Sequence, residues 1–482
     1  MFLRMLYDDH LAQAAYVIGC QRTGEAIVID PERDVDRYIE LAQANGLRIV
    51  AATETHIHAD FLSGTRELAE RVGARVYLSG EGGSEWSYGW LDKKAGGGRY
   101  DAVLLKNGDT FRIGNIELRA VHTPGHTPEH VMFIVTDLGG GATEPMGIAT
   151  GDFVFVGDLG RPDLLESAAG EHGVKEGFAR TLNASAVKFL ELPDYLQVWP
   201  AHGAGSACGK ALGAVPSSTV GYERKFNSSL RLAGKEQDFV SFILSGQPAP
   251  PLYFARMKRE NRDGVPLLGE LPRPRRIAGA ELAVLDGRQV AIVDTRPWPA
   301  FRDGHVPGSL WAPIGTQFPM VTGSYIEPDE EIVLVCEPEQ AEMLVRDLVR
   351  IGLDRVVGFG APSDVSGAAH LERTPEISAV EFADRMRGQA PFVLDARNEH
   401  EHAEGGIEGA MNIAHTRLAP RIGELPKARP IVCHCRSGVR SGAATAYLRR
   451  EGYDVTNLAG GFLAWERAGG EVVKPGAEAA AR

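Results

Sequence analysis

Thr55-His56-Ile57-His58-Ala59-Asp60 sets two imidazoles and a carboxylate at alternate positions. Three more groups follow: Thr123-Pro124-Gly125-His126-Thr127, Thr150-Gly151-Asp152 and Trp199-Pro200-Ala201-His202-Gly203. Each comes just after an apolar run that reads as a strand, which places them to converge at the strand-end edge of a sheet sandwich. Histidines and carboxylates gathered there suit a hard-to-intermediate cation. A lone histidine is ordinarily a packed or surface residue, as expected for His122 and His130. Four such segments in order call for another explanation.

A second chemistry lies near the C-terminus, in Ile431-Val432-Cys433-His434-Cys435-Arg436-Ser437-Gly438-Val439-Arg440-Ser441. A cysteine ending a buried strand, followed by a tight loop and a helix, meets several backbone N–H groups and a helix N-terminus. With Arg436 and Arg440 these stabilise a thiolate and then a persulfide anion. Cys433 reads as a packed residue of the strand. Cys336 ends the matching strand of an earlier repeat, but its loop is Glu337-Pro338-Glu339-Gln340-Ala341-Glu342. Carboxylates there raise a thiol pKa and repel a sulfur anion, so Cys336 is expected to be inert.

The elements that carry these residues form about three domains, since 482 residues exceed one hydrophobic core. Residues 1–245 alternate short strands, such as Ala26–Asp30 and Arg48–Thr53, with helices such as Val35–Asn45, stopped by Gly46. Residues 80–98 lack periodicity and read as a surface loop or irregular insertion. Residues 246–280, with Gln247-Pro248-Ala249-Pro250-Pro251 and Pro272-Arg273-Pro274, read as an extended connection. Beyond it the chain repeats: Val290–Arg296 and Pro391–Arg397 share a strand-then-Asp-x-Arg pattern. The repeats give α/β domains at 281–370 and 375–472.

A formal charge of −13 argues against nucleic acid or an anionic membrane surface as partner. No apolar run reaches the about 18 residues of a spanning helix, and the acidic N-terminus is unlike a signal peptide. A cytoplasmic protein is expected. Five scattered cysteines do not form a disulfide framework. Symmetric association, a homo-oligomer, is expected for an enzyme of this size.

The histidine–aspartate segments resemble the metallo-β-lactamase fold over about residues 10–220. The two-metal hydrolases of that fold have His-x-His-x-Asp-His; Phe61 stands at the last position here and has no lone pair for a second metal. The C-terminal loop, with Asp395-x-Arg397 and Leu458–Trp465, resembles the rhodanese active site. The whole order looks like the persulfide dioxygenase–sulfurtransferase fusions. The implied architecture is α/β, an N-terminal αββα sandwich followed by two tandem rhodanese-like domains, the middle one degenerate.

That resemblance implies one Fe(II) per chain on His56, His126 and Asp152, with His58, Asp60 and His202 orienting ligands or substrate around it. It implies oxidation of glutathione persulfide or another low-molecular-weight persulfide by O₂ to sulfite. Cys435, Arg436 and Arg440 would carry sulfane sulfur to sulfite, giving thiosulfate and, in net, sulfide detoxification. In Gly160-Arg161-Pro162-Asp163 the arginine matches a substrate-contacting position, and its fork suits a carboxylate. An Arg161–Asp163 loop brace is the plainer role, and the two can coexist. Cys208, in a small-residue loop beside Lys210, is either an exposed, activated sulfur-relay thiol or simply packed. Two other readings remain at this stage. One is a zinc thioester hydrolase of the glyoxalase II type fused to a rhodanese; the other is a sulfur-relay scaffold with a structural metal.

Overall fold

The computed structural model describes residues 1–164, 173–210, 212–247, 249–366 and 370–474; Pro248 of the proline-rich stretch lies outside them. The chain divides into two compact units, residues 1–271 with 349–352, and residues 272–348 with 353–482.

The first unit holds two six-stranded sheets, each built in sequence order. One contains β1 (Phe2–Asp8), β2 (Gln13–Cys20), β3 (Glu25–Ile29), β4 (Arg48–Thr53), β5 (Arg75–Ser79) and β6 (Ala102–Leu105). The other contains β7 (Thr110–Ile113), β8 (Ile116–His122), β9 (Val131–Asp137), β10 (Gly147–Gly151), β11 (Gln197–Pro200) and β12 (Ser218–Thr219). Alternation sends Tyr16, Ile18 and Ile27 of the first sheet and Leu118, Phe133 and Val135 of the second into one shared core. The other faces are covered by helices. Val17 and Val28 pack with Tyr38 and Ala42 of the helix Asp36–Ala44; Ile134 and Ile148 pack with Leu182 and Phe239 of the helices Lys175–Phe189 and Glu236–Leu244. This is the expected αββα sandwich. Gly46 has φ 68°, the left-handed stop its position called for.

Residues 80–98 are irregular, as read, apart from the short turn Ser84–Trp86, while residues 246–280 depart from the sequence reading. Within 80–98 the rings of Trp86, Tyr88 and Trp90 are buried and pack on Ile57, Val76 and Leu78, so the loop is anchored by its aromatics. The 246–280 segment contains the helix Phe254–Asp263 and belongs to the first unit as far as Leu271. Asn261 of that helix donates to the carbonyls of His58 and Phe61 and accepts from the Ser63 N–H, fixing the first histidine segment from behind.

The second unit holds two five-stranded parallel sheets of the same topology. Their strands are β13 (Arg275–Arg276), β14 (Ala291–Asp294), β15 (Leu310–Trp311), β16 (Ile332–Val335) and β17 (Val356–Gly360), then β18 (Glu376–Ile377), β19 (Phe392–Asp395), β20 (Met411–Asn412), β21 (Ile431–His434) and β22 (Val455–Leu458). The spatial orders are β13-β17-β16-β14-β15 and β18-β22-β21-β19-β20. Asp294–Arg296 and Asp395–Arg397 close the same bidentate pair, Nη2 to Oδ2 at 2.6 Å in both copies. Each arginine also holds a carbonyl eight residues on, Gly304 and Gly405. The Asp-x-Arg pattern is therefore a brace of the fold. Among the described residues no helix is long and apolar enough to cross a membrane.

Candidate metal centre and sulfur-transfer site

His56, His126 and Asp152 come together, with one ligand atom from each lying within 4.8 Å of the others, and all three side chains are buried. His56 and Asp152 stand beyond the ends of β4 and β10, and His126 lies in the turn between β8 and β9. Gly151 takes φ 54° to turn the chain into Asp152, and a Cβ on Gly160 would fall 1.8 Å from the Asp152 carbonyl oxygen. The 153–161 loop therefore presses on the aspartate backbone, and only glycine permits that approach.

Hydrogen bonds aim the imidazoles. Asp30 Oδ2 accepts from the Thr55 hydroxyl at 2.9 Å, leaving a Thr55 lone pair for the His56 Nδ1–H at 3.0 Å. His126 Nδ1 meets the Arg161 carbonyl at 2.9 Å, and a carbonyl only accepts. In both rings the proton sits on Nδ1, so each Nε2 lone pair faces Asp152 Oδ2, at 4.0 Å from His56 and 3.5 Å from His126. Burial, then neighbouring His58, keeps His56 well below the usual imidazole range. Burial raises the Asp152 carboxyl, but His202, His56 and His126 outweigh it and hold it well below the carboxylate range. Both Asp152 oxygens are buried without a hydrogen-bond partner. Neutral imidazoles facing an ionised carboxylate whose Oδ2 makes no hydrogen bond fit a divalent cation, which would satisfy that oxygen.

His58 directs its Nε2 to Asp30 Oδ1 at 3.1 Å, and its ring lies 4.3 Å, centroid to centroid, from both His56 and Phe61. Burial lowers the His58 pKa, but Asp30 outweighs it and the ring is raised to about 9. His202 Nδ1 meets the Ala12 carbonyl at 3.0 Å, and its Nε2 stands 3.3 Å from Asp152 Oδ1 and 3.2 Å from Asp60 Oδ2. His202 and Asp60 thus flank the aspartate. Cys208 joins them, its sulfur within 4.8 Å of their ligand atoms.

Cys208 is buried, not exposed, and burial pushes its thiol up to about 12. Lys210 does not activate it, because the ammonium donates to the carbonyls of Phe242 and Ser245. Arg161 is 1% exposed; its guanidinium donates to both Asp163 oxygens, at 2.8 and 2.6 Å, and to the Ala207 carbonyl at 3.1 Å. The loop brace is what the geometry contains. His130, expected as ordinary packing, is fully buried with its ring centroid 5.3 Å from that of His56. The supporting roles of Asp30, Thr55 and Gly160 are not read from the sequence, although each stands in or at the end of a segment singled out there.

In the second unit Cys435 follows β21, and its Sγ accepts from the Gly438 N–H at 3.2 Å, with the Ser441 hydroxyl at 3.5 Å. The N–H groups of Phe462 and Leu463, opening the helix Gly461–Arg467, hold the carbonyls of Cys435 and Arg436 at 2.7 and 3.0 Å. Loop carbonyls are thereby drawn away from the sulfur. Arg440 forms a bidentate pair with Glu401, at 2.6 and 2.8 Å, and Arg436 is exposed at the rim. Cys336 is buried, and burial, then Glu337, Glu339 and Asp294, push its thiol up to about 12. Glu342 is not among these causes; it pairs with Arg346.

Residues 8–202 match the family model described as the metallo-beta-lactamase superfamily, and residues 281–359 and 378–468 match that of the rhodanese-like domain. The chain belongs to the metallo-β-lactamase superfamily and carries two rhodanese-like domains. A crystal structure of a metallo-beta-lactamase from Staphylococcus aureus is 39% identical, with TM-score 0.66, over 75% of this chain and 99% of that one. The mitochondrial persulfide dioxygenase ETHE1 of Mus musculus is 28% identical over 239 residues, 49% of this chain and 78% of that protein. A sulfurtransferase of Allochromatium vinosum is 39% identical over 102 residues, 21% of this chain and 95% of that protein. A beta-lactamase hydrolase-like protein of Agrobacterium fabrum is 29% identical over 49% of this chain, and the match spans only 54% of that relative.

Proposed function

We propose that the first unit is an iron-dependent persulfide dioxygenase and that the last domain is a sulfurtransferase working through Cys435. The observation that carries the first half is the three-residue cluster of two aimed imidazoles and one buried carboxylate that makes no hydrogen bond. Iron(II) held by His56, His126 and Asp152 would supply open positions where a persulfide sulfur and dioxygen are activated together. In net, a persulfide, O₂ and water give the thiol, sulfite and two protons.

The chain's own residues do the positioning. Asp30 and Thr55 fix the His56 tautomer, the Arg161 carbonyl fixes that of His126, and His202 and Asp60 confine the Asp152 carboxylate. Buried surroundings exclude bulk water from the cluster. Arg161 contributes by holding the 157–164 loop through Asp163. Cys208 remains the candidate relay thiol, though a buried thiol pushed up to about 12 is a poor nucleophile at rest. Unchanged turnover in Cys208→Ser would leave it a packing role.

At Cys435 the thiolate attacks the outer sulfur of a persulfide and releases its thiol. The Gly438 N–H donates to the Cys435 sulfur that carries the transferred atom, with exposed Arg436 and the Glu401-held Arg440 guanidinium as the cations of the site. Sulfite then takes that sulfur, yielding thiosulfate and the free thiolate. The likeness to ETHE1 and to the sulfurtransferase supports both halves.

The test is anaerobic loading with iron(II), metal analysis, and oxygen uptake with glutathione persulfide. About one iron per chain with O₂ consumed and thiosulfate formed is expected, with sulfite accumulating in Cys435→Ser. About two zinc per chain, thioester hydrolysis and no oxygen uptake would overturn the dioxygenase reading in favour of a thioester hydrolase.

A further inference from the structure

Ser441 has one hydroxyl hydrogen and three acceptors near it: Asn457 Oδ1 at 2.7 Å, the Gly438 carbonyl at 3.2 Å and Cys435 Sγ at 3.5 Å. Which acceptor takes the hydrogen depends on the Asn457 amide, because an amide turned over would offer Ser441 an N–H in place of an oxygen. Asn457 cannot turn freely. Its Nδ2 donates to Glu376 Oε1 at 3.1 Å, and a carboxylate accepts only from the nitrogen side. The amide oxygen is therefore left facing Ser441, and both Asn457 and Ser441 are buried beyond the reach of water.

Glu376 is in turn held by the middle domain. Trp298 Nε1 donates to Oε1 at 2.7 Å, and Arg302 Nη1 donates to Oε2 at 2.8 Å. The same domain also backs the helix Val439–Arg450, whose first turn carries Ser441. A Cβ on Gly442 would lie 3.0 Å from the Trp311 ring and 3.2 Å from the Trp298 ring.

We propose that the degenerate middle domain tunes Cys435: Trp298 and Arg302 clamp Glu376, which fixes the Asn457 amide so that it takes the Ser441 proton away from the Cys435 sulfur. With that proton withheld, the Gly438 N–H is the donor on Sγ and the thiolate stays less stabilised than Ser441 would make it. Cys435 gains from this when it takes sulfur up as the attacking thiolate, since nucleophilicity falls as a thiolate is stabilised. Trp298, Arg302, Glu376 and Asn457 are positioning residues, because none touches the sulfur. The proposal rests on Cys435 being the sulfur carrier and gives the middle domain work that does not need Cys336.

The experiment is a thiolate titration of the full chain by ultraviolet absorbance, each variant taken as a difference against its Cys435→Ser form. Asn457→Leu removes the nearest competing acceptor and leaves the neutral Gly438 carbonyl, against which an ionised sulfur is the stronger acceptor, so Ser441 turns its proton to the thiolate. The titration midpoint should move down by about one pH unit, giving about tenfold more thiolate on its acid side. Adding Ser441→Ala to that variant should abolish the shift. Trp298→Phe with Arg302→Gln, confined to the middle domain, should move the midpoint the same way by less.

The charged and titratable groups around the sulfur stay in place in every variant apart from Arg302: Arg440 with Glu401, Arg436, Cys433, His434, and Asp395 with Arg397 and His402. Loss of the Arg302 cation would by itself raise the midpoint, so a fall cannot come from that charge. No shift or an upward shift in Asn457→Leu, or a downward one that survives Ser441→Ala, overturns the proposal. Should Asn457→Leu not fold, Trp298→Phe alone, which removes the bond to Glu376 and changes no charge, decides by the same outcomes. The titration uses no sulfur donor, so it is independent of the carrier role, which absence of a persulfide on Cys435 by mass spectrometry after incubation with glutathione persulfide would refute separately.

Discussion

Replacing Arg161 by Met separates a loop brace from a substrate clamp. The guanidinium is 1% exposed and makes a two-point pair with Asp163, whose side chain is 17% exposed, plus a bond to the Ala207 carbonyl. Breaking a fully buried pair costs about 3–5 kcal/mol; partial access of water to Asp163 puts this one near the lower end, about 3 kcal/mol. With a urea slope of about 3 kcal/mol per molar for a unit of this size, the unfolding midpoint should fall by about 1 M. Peptide-resolved trapping of Cys208 by a thiol reagent across a urea series reads that transition in the intact chain, because Cys208 is buried until the unit opens. Iron content should fall as well, since a loosened loop shifts the carbonyl of residue 161, which holds the His126 tautomer at 2.9 Å. A midpoint unchanged to within about 0.2 M, with only a higher KM for persulfide, would refute the brace and place Arg161 on the substrate.

Two further outcomes are expected. A Cys336 thiol at about 12 instead of 9.0 carries roughly a thousandth of the ordinary thiolate at pH 8, so peptide-resolved alkylation of Cys336 should be about a thousandfold slow and Cys336→Ser should make thiosulfate at the native rate. Burial raises the Asp395 carboxyl, but its bonds to Arg397 and the nearby His434 outweigh this and hold it below 3.8; its stabilisation is therefore full above that value and lost as pH falls through the folded one. Asp395→Asn should be less stable than the native chain at pH 7, with the gap closing below about pH 3.8 in paired urea series.

Much of the metal cluster was legible because its residues follow strands whose apolar runs are plain in the sequence. Arg48–Thr53 is the strand observed, and Ala26–Asp30 is displaced by one residue. What could not be read was each imidazole's second bond. Asp30 serves His58 and, through Thr55, His56 because β3 and β4 pair in parallel with Ile29 opposite Thr53. That register depends on packing and appears in neither segment alone. Asn261 escaped for a similar reason: the proline on both sides of 254–263 masked a helix whose order comes from capping the histidine segment.

The repeated domains carry a signal that neither copy gives alone. Arg440 stands five residues after Cys435, and Ala341 five after Cys336; Glu401 stands six after Asp395, and Ala300 six after Asp294. The two residues that form the bidentate pair beside Cys435 are thus both alanine in the copy whose loop opposes a thiolate. A carboxylate that only capped its helix would be indifferent to an arginine 39 residues away. Losing both together is what a single unit would do, because removing one alone leaves a half-buried charge without its partner, at about 3–5 kcal/mol if fully desolvated. Glu401 therefore belongs with Cys435: it holds the Arg440 cation beside that cysteine, and the comparison of the two copies separates it from the Asp-x-Arg brace, which both retain.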